Sequence, residues 1–157
     1  MQKFEVFWRR FVLWQKLIAP FVWIGLGLSR LAVLTLPFRL YAPVLGKPAL
    51  GLHASVETHD AARLKAKRVS EVIRTVAKYT PWTSNCLAQA LTASVMLRCL
   101  RIPSTAHFGL TKDTDDAKLL EAHAWVMSGS QPVTGYRESV GMTLVKTFIR
   151  DTRQALV

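Results

Sequence analysis

The feature that most constrains this chain is a change of period at Pro103. Ahead of it, residues 85–100 read NCLAQALTASVMLRCL, in which Cys86, Ala90, Ala93 and Leu97 recur at steps of four, three and four, with Leu87, Leu91 and Val95 one stripe over. That spacing is helical, and apolar or small residues on much of the circumference predict a central, buried helix. Thr83 or Ser84 is the expected N-cap, Arg98 and Arg101 suit the C-terminal end of the helix dipole, and Pro103 forbids continuation. Behind Pro103 the pattern shortens to strands over Ser104 to Leu110, Glu121 to Met127 and Gln131 to Tyr136, with Ser128-Gly129-Ser130 as a turn and a fourth strand within Gly141 to Arg150. The last residues read as loose chain.

Residues 1–50 have a different character. They are rich in Trp, Phe, Leu and Val, and Lys3, Arg9, Arg10, Lys16, Arg30, Arg39 and Lys47 stand against a single Glu5. Phe4, Phe7, Trp8, Phe11 and Val12 recur at helical spacing. Pro20 is expected to break that helix, with a second one from about Trp23 to Leu36. The longest uncharged run, Leu17 to Ser29, is about 13 residues, whereas a simple spanning helix needs roughly 20. Glu5 and the early aromatics also argue against a secretory leader. A helical subdomain packed on the remainder is the first reading of this segment. An interfacial anchor, with aromatic and basic residues at a headgroup layer, is the second.

Pro43, Gly46, Pro48 and Gly51 mark a connector, and the chain divides there into residues 1–50 and 51–157. His53 and His59 match no zinc spacing and read as surface residues. From about His59 to Tyr79 a helix is expected, with Ala62, Val69, Val72, Ile73 and Val76 on its apolar face. Its basic remainder is a solvated face or a docking strip for an acidic peptide. Asp113, Asp115 and Asp116 lack the glycine and the distal glutamate of a calcium loop and read as a solvent loop. His107 reads as structural. No metal or cofactor is implied.

The chain has 157 residues, half of them apolar, and a formal net charge of +11. One domain with a core is the natural size, and the charge favours an acidic partner or an anionic surface. Zinc-finger, RRM and glycine-rich phosphate motifs are all missing, so nucleic acid is not expected. Cys86 and Cys99 lie about 20 Å apart along one helix, too far for a disulfide, which fits a reducing, cytoplasmic setting. Cys99 reads as a small buried core residue.

Cys86 differs because it opens its helix. A free thiol has a pKa of about 8.5, and first-turn amides with the positive end of the dipole lower it. An imidazole within reach lowers it further and later protonates a leaving amine. His123, opening the strand AHAWV, is the candidate; a core cysteine and a packed histidine are the plainer alternative.

CLAQALTASVMLRCL followed by AHAWV resembles the transglutaminase-like cysteine proteases, and most closely the B-type leader peptidases of lasso peptide biosynthesis. The likeness spans about residues 70–150, and RLAVLTLPFRLYAPVLG is similar to the N-terminal helical part of that family. The resemblance implies a papain-like α+β fold, with the nucleophile helix packed on a small antiparallel sheet. It implies Cys86 as nucleophile, His123 as base and no cofactor. The implied reaction is removal of the leader from a ribosomally made precursor peptide before a separate cyclase closes the ring. In that family a leader-recognition module is sometimes fused and sometimes separate. Residues 1–50 carry no such module, which points to a separate partner holding the leader by strand addition. One position departs: the family's third group is an Asp about a dozen residues after the His, and here no acid occurs between His123 and Glu138. Gln131, Thr134, Glu138 or a backbone carbonyl is left to orient the imidazole. That departure favours a second reading, a non-catalytic basic scaffold for precursor or cyclase at the inner membrane face; a third reading is acyl transfer by the same pair, with an amine replacing water as acceptor.

Overall fold

A computed structural model gives the architecture and describes residues 13–112 and 120–151. The aromatic repeat at residues 4–12, the acidic loop at 113–116 and the chain end lie outside these. The helices are α1 (Leu13–Thr35), α2 (Phe38–Leu45), α3 (Asp60–Val76) and α4 (Cys86–Cys99). The strands are β1 (Lys47–Pro48), β2 (Ser104–Lys112), β3 (Leu120–Ser128), β4 (Gln131–Thr134) and β5 (Thr143–Arg150). They form one antiparallel sheet in the order β1-β5-β2-β3-β4. Apart from the two-residue β1, the helices precede the strands along the chain, and helices with one antiparallel sheet make the fold α+β.

The sheet has two chemically distinct faces, set by the alternation of side chains along a strand. Ala106, Phe108, Ala124, Val126, Val133 and Phe148 join the helical residues Leu26, Leu45, Val72, Ile73 and Leu97 in one core cluster. The other face carries Thr105, His107 and Gly109 of β2 opposite Met127, Trp125 and His123 of β3. Residues Val22, Leu26, Tyr41 and Leu45 belong to the same core cluster as residues beyond 51, so the core runs through the composition shift near residue 50.

Pro20 does not end a helix. It sits exposed inside α1, which runs unbroken for 23 residues. Gln15 and Ala19 are buried before it and Val22 and Leu26 after it, so packing holds both halves on one axis despite the lost backbone bond. By length and composition α1 meets the requirement for crossing a bilayer, which its short uncharged run had argued against. Lys16 and Arg30 interrupt the run without interrupting the helix. The expected cap at Thr83 or Ser84 is also displaced: Asn85 is the N-cap, its side-chain oxygen accepting from the Ala88 amide at 3.0 Å. Cys99 lies exposed on the outer side of the last turn and is no core residue. Val95, read as part of an apolar stripe, is likewise exposed, whereas Ala88, Ser94 and Leu97 are buried.

The end of α4 explains how the chain passes from helix to sheet. The Ile102 amide bonds to the Leu97 carbonyl and the Arg101 amide to the Arg98 carbonyl, the paired bonds of a Schellman motif. Both Leu97 and Ile102 are buried, which supplies the apolar contact that accompanies this cap. Arg101 holds the left-handed position with φ of 54°, where glycine is the usual residue.

Candidate active site

The loop before α4 is fixed by polar contacts. The Thr80 hydroxyl lies 3.0 Å from the Trp82 carbonyl and 2.9 Å from the Ser84 hydroxyl. The Gln89 side-chain amide donates back to the Ser84 carbonyl at 2.8 Å. Gln89, one turn beyond Cys86, is therefore committed to this loop. Asn85 then caps the helix, and Cys86 is its first residue, half-buried, with its thiol free. The backbone amides of such a first turn have no acceptor within the helix. They present partial positive charge beside the sulfur.

His123 lies on β3 opposite Gly109, and the absence of a side chain there leaves room for the Trp125 indole. The His123 and Trp125 rings are near-parallel with centroids 6.4 Å apart, and His107 stacks on Trp125 at 5.5 Å. Trp125 is buried, so it serves as the packed wall between the two histidines. The His123 Nε2 lies 2.8 Å from the carbonyl oxygen of Gly135. A carbonyl only accepts, so Nε2 carries the proton and the neutral ring keeps Nδ1 as its basic nitrogen.

Gly135 is built for this contact. Its φ of +68° is a left-handed conformation, and a Cβ there would stand 2.9 Å from His123 Nε2 and 2.5 Å from the Ala124 carbonyl oxygen. A side chain would therefore collide with both the ring and the backbone of β3. Gly135 lies twelve residues after His123. Its carbonyl makes the bond for which Gln131, Thr134 and Glu138 were the side-chain candidates. The Gln131 side chain donates instead to the Pro132 carbonyl at 2.7 Å. Thr134 is buried with its hydroxyl unpartnered, and Glu138 is exposed on a short 3₁₀ turn. Sequence reasoning could anticipate a carbonyl in general, and a glycine beside a strand was the only local signal for which one.

Cys86 and His123 line one open cleft of about 710 Å³. Gly135, Thr134, Gln131 and Glu138 share that lining, with Lys67, Arg74, Lys78 and Arg137 supplying its cations. Among the hydrogen bonds of the described residues none joins the Cys86 sulfur to the His123 ring. His107 is separate: its Nδ1 lies 3.0 Å from the Thr147 hydroxyl and its Nε2 3.0 Å from the Thr105 hydroxyl. Burial, and secondarily the charge of His53, lower its pKa. Among the described residues no cluster of three or more His, Cys, Asp or Glu side chains could hold a metal.

Compared with known families, residues 32–144 match the transglutaminase-like superfamily. The chain belongs to that superfamily. The matched span includes α2, α3, α4 and the strands up to the start of β5, and so both Cys86 and His123. The superfamily is typically one of cysteine-type enzymes, peptidases among them, in keeping with a thiol at a helix start and an imidazole on a following strand. No curated protein and no solved structure matches the chain.

Proposed function

We propose that this transglutaminase-like chain is a cysteine peptidase that cleaves the leader from a lasso-type precursor peptide before a separate cyclase closes the ring. The observation that carries the reading is the shared cleft: Cys86 in the first turn of a capped helix, and His123 held by Gly135 in the tautomer whose Nδ1 is basic. Cys86 gives its proton to Nδ1 and the sulfur attacks the scissile carbonyl carbon. The backbone amide of Cys86 donates to the developing oxyanion. As the C–N bond breaks, the imidazolium returns the proton to the departing amine and a thioester remains. Water, deprotonated by His123, then releases the new carboxylate and the thiol. Residues 51–157 carry this chemistry and the first fifty support it.

The cleft's cations outnumber its two carboxylates, Glu121 and Glu138, which suits a peptide carrying acidic residues. The partners of this reading are the precursor, a separate leader-recognition protein and the cyclase, in a cytoplasmic setting that keeps both thiols free. The lack of a bond between Cys86, packed on the core side, and His123, which alternation sets on the other face of the sheet, favours the second reading, a basic scaffold that binds precursor or cyclase without cutting. Apo sites often leave catalytic bonds long until substrate closes them.

The test is reconstitution of the chain with a lasso-type precursor and a separate leader-recognition protein, read by mass spectrometry. Wild type and Cys99→Ala should cleave alike, and Cys86→Ala and His123→Ala should not cleave. Full cleavage by Cys86→Ala would sink the mechanism, and no cleavage by any variant with intact binding would establish the scaffold.

A further inference from the structure

Helix α1 has two apolar sides, and the domain covers only one. Gln15, Ala19, Val22 and Leu26 are buried against α3 and α4. Leu13, Leu17, Phe21, Ile24, Leu28 and Leu31 are each more than half exposed. Eleven of the twenty large apolar side chains exposed among the described residues fall between Leu13 and Leu40. Eight of those eleven lie on α1 itself, and a patch so concentrated marks an interaction surface.

We infer that this outer face of α1 seats the protein, in the plane of the interface, on an anionic lipid bilayer. Three observations select that occupant. The first is charge. Between Glu5 and Glu57 the chain has no carboxylate, while Arg9, Arg10, Lys16, Arg30, Arg39 and Lys47 are all basic. The only salt bridge among the described residues joins Arg63 and Asp60 elsewhere, so Lys16, Arg30 and Arg39 are left uncompensated there.

The second is arrangement. Lys16, Trp23 and Arg30 are spaced by sevens, which at about 100° per residue sets them along one flank of the exposed stripe. Cations and an indole bordering a strip of Leu, Ile and Phe match a headgroup layer over acyl chains, with the long basic stems lying along the apolar boundary. A second copy of this chain would bring the same cations together.

The third is orientation. Gln15 bonds the Glu71 carboxylate at 3.3 Å, and the Ser29 hydroxyl lies 3.1 Å from the Thr92 hydroxyl. These points are about 21 Å apart on the helix axis, so α1 is fastened lengthwise to the domain and cannot cross a bilayer while fastened. Trp82 lies against α1, its ring centroid 4.7 Å from that of Trp23 and so close to Gly27 that a Cβ there would stand 3.0 Å from it. The seated helix therefore also holds the loop that leads to Cys86. The inference stands apart from the peptidase reading, because it uses no residue of the cleft.

The experiment is flotation of the full chain, synthesised without cells beside preformed vesicles. The vesicles are either phosphatidylcholine alone or phosphatidylcholine with about one-third phosphatidylglycerol. Wild type should float at least about tenfold better with the anionic vesicles and be released by alkaline carbonate. The triple variant Leu17→Glu, Ile24→Glu, Leu28→Glu should stay unbound. Lys16→Glu with Arg30→Glu, which leaves the apolar strip intact, should lose the preference for phosphatidylglycerol. Equal binding to both vesicles, resistance to carbonate, or flotation of the triple variant would each overturn the inference. So would a lipid-free dimer of wild type that binds no vesicles and becomes a monomer in the triple variant.

Discussion

Replacing Gly135 with alanine should disable the site while leaving a folded protein. The new Cβ would meet the Ala124 carbonyl oxygen at 2.5 Å, and that atom is strand backbone, so it cannot swing aside. It would also stand 2.9 Å from His123 Nε2, so the ring must leave its acceptor. A left-handed φ costs an alanine about 1–2 kcal/mol, and the overlap adds about 1–2 kcal/mol more. The sum, about 2–4 kcal/mol, is tolerable in a domain of ordinary stability. An imidazole without its acceptor loses both its tautomer and its aim, which costs on the order of a hundredfold to ten-thousandfold in cleavage rate. Gly141→Ala is the control, because Gly141 has φ of +85° with nothing within 4 Å of a Cβ. It should show the conformational cost alone, with kcat/KM within about twofold of wild type. Glu138→Gln should change kcat/KM by less than about tenfold, since the exposed carboxylate makes no bond to His123. Thermal melts and precursor cleavage on all three variants decide the matter. Folded Gly135→Ala with wild-type kcat/KM would refute the argument, and a loss of several thousandfold in Glu138→Gln would make Glu138 the orienting group.

Two further outcomes follow from groups outside the cleft. Arg101→Gly should raise stability by about 1 kcal/mol, read as a higher Tm, because glycine occupies the left-handed cap position without the Cβ penalty. An unchanged or lower Tm would mean that the Arg101 side chain offsets its backbone. For His107, the folded ring resists protonation more than the unfolded one. Its contribution to stability is therefore intact above the ordinary imidazole pKa and lost as pH falls through that value toward the lower folded one. His107→Gln should make the decline in Tm between about pH 7 and 5 shallower, and an unaltered slope would assign the decline to other groups.

Much of the frame could be read in advance, because it rests on local pattern. The α4 repeat ending at Pro103, and the alternation through β2 and β3, are periodic signals over nine or more residues, and periodicity survives tertiary context. Cys86 at a helix start and His123 on a strand were legible for the same reason. What failed depended on long-range packing. Pro20 stays helical because residues on both sides are buried against α3 and α4. Cys99 is exposed because the buried stripe of α4 ends at Leu97, and two neighbouring stripes of similar hydropathy gave no sign of which residues face solvent. Asn85 displaced Thr83 and Ser84 as cap because Ser84 serves Thr80 in the preceding loop. The acceptor for His123 was invisible as a residue type, since every residue has a carbonyl. What singles out Gly135 is a close approach that only the folded chain reveals.

If Cys86 is an activated nucleophile, the chain contains its own reference thiol. Cys99 is exposed and Cys86 only half so, so accessibility alone predicts that Cys99 reacts faster. The measurement is the rate of iodoacetamide alkylation at each cysteine in the wild-type chain at about pH 6, read by peptide mass spectrometry. Cys86 should be alkylated at least about tenfold faster than Cys99, and His123→Ala should remove the excess. Faster alkylation of Cys99, with Cys86 indifferent to His123→Ala, would contradict the activation of Cys86.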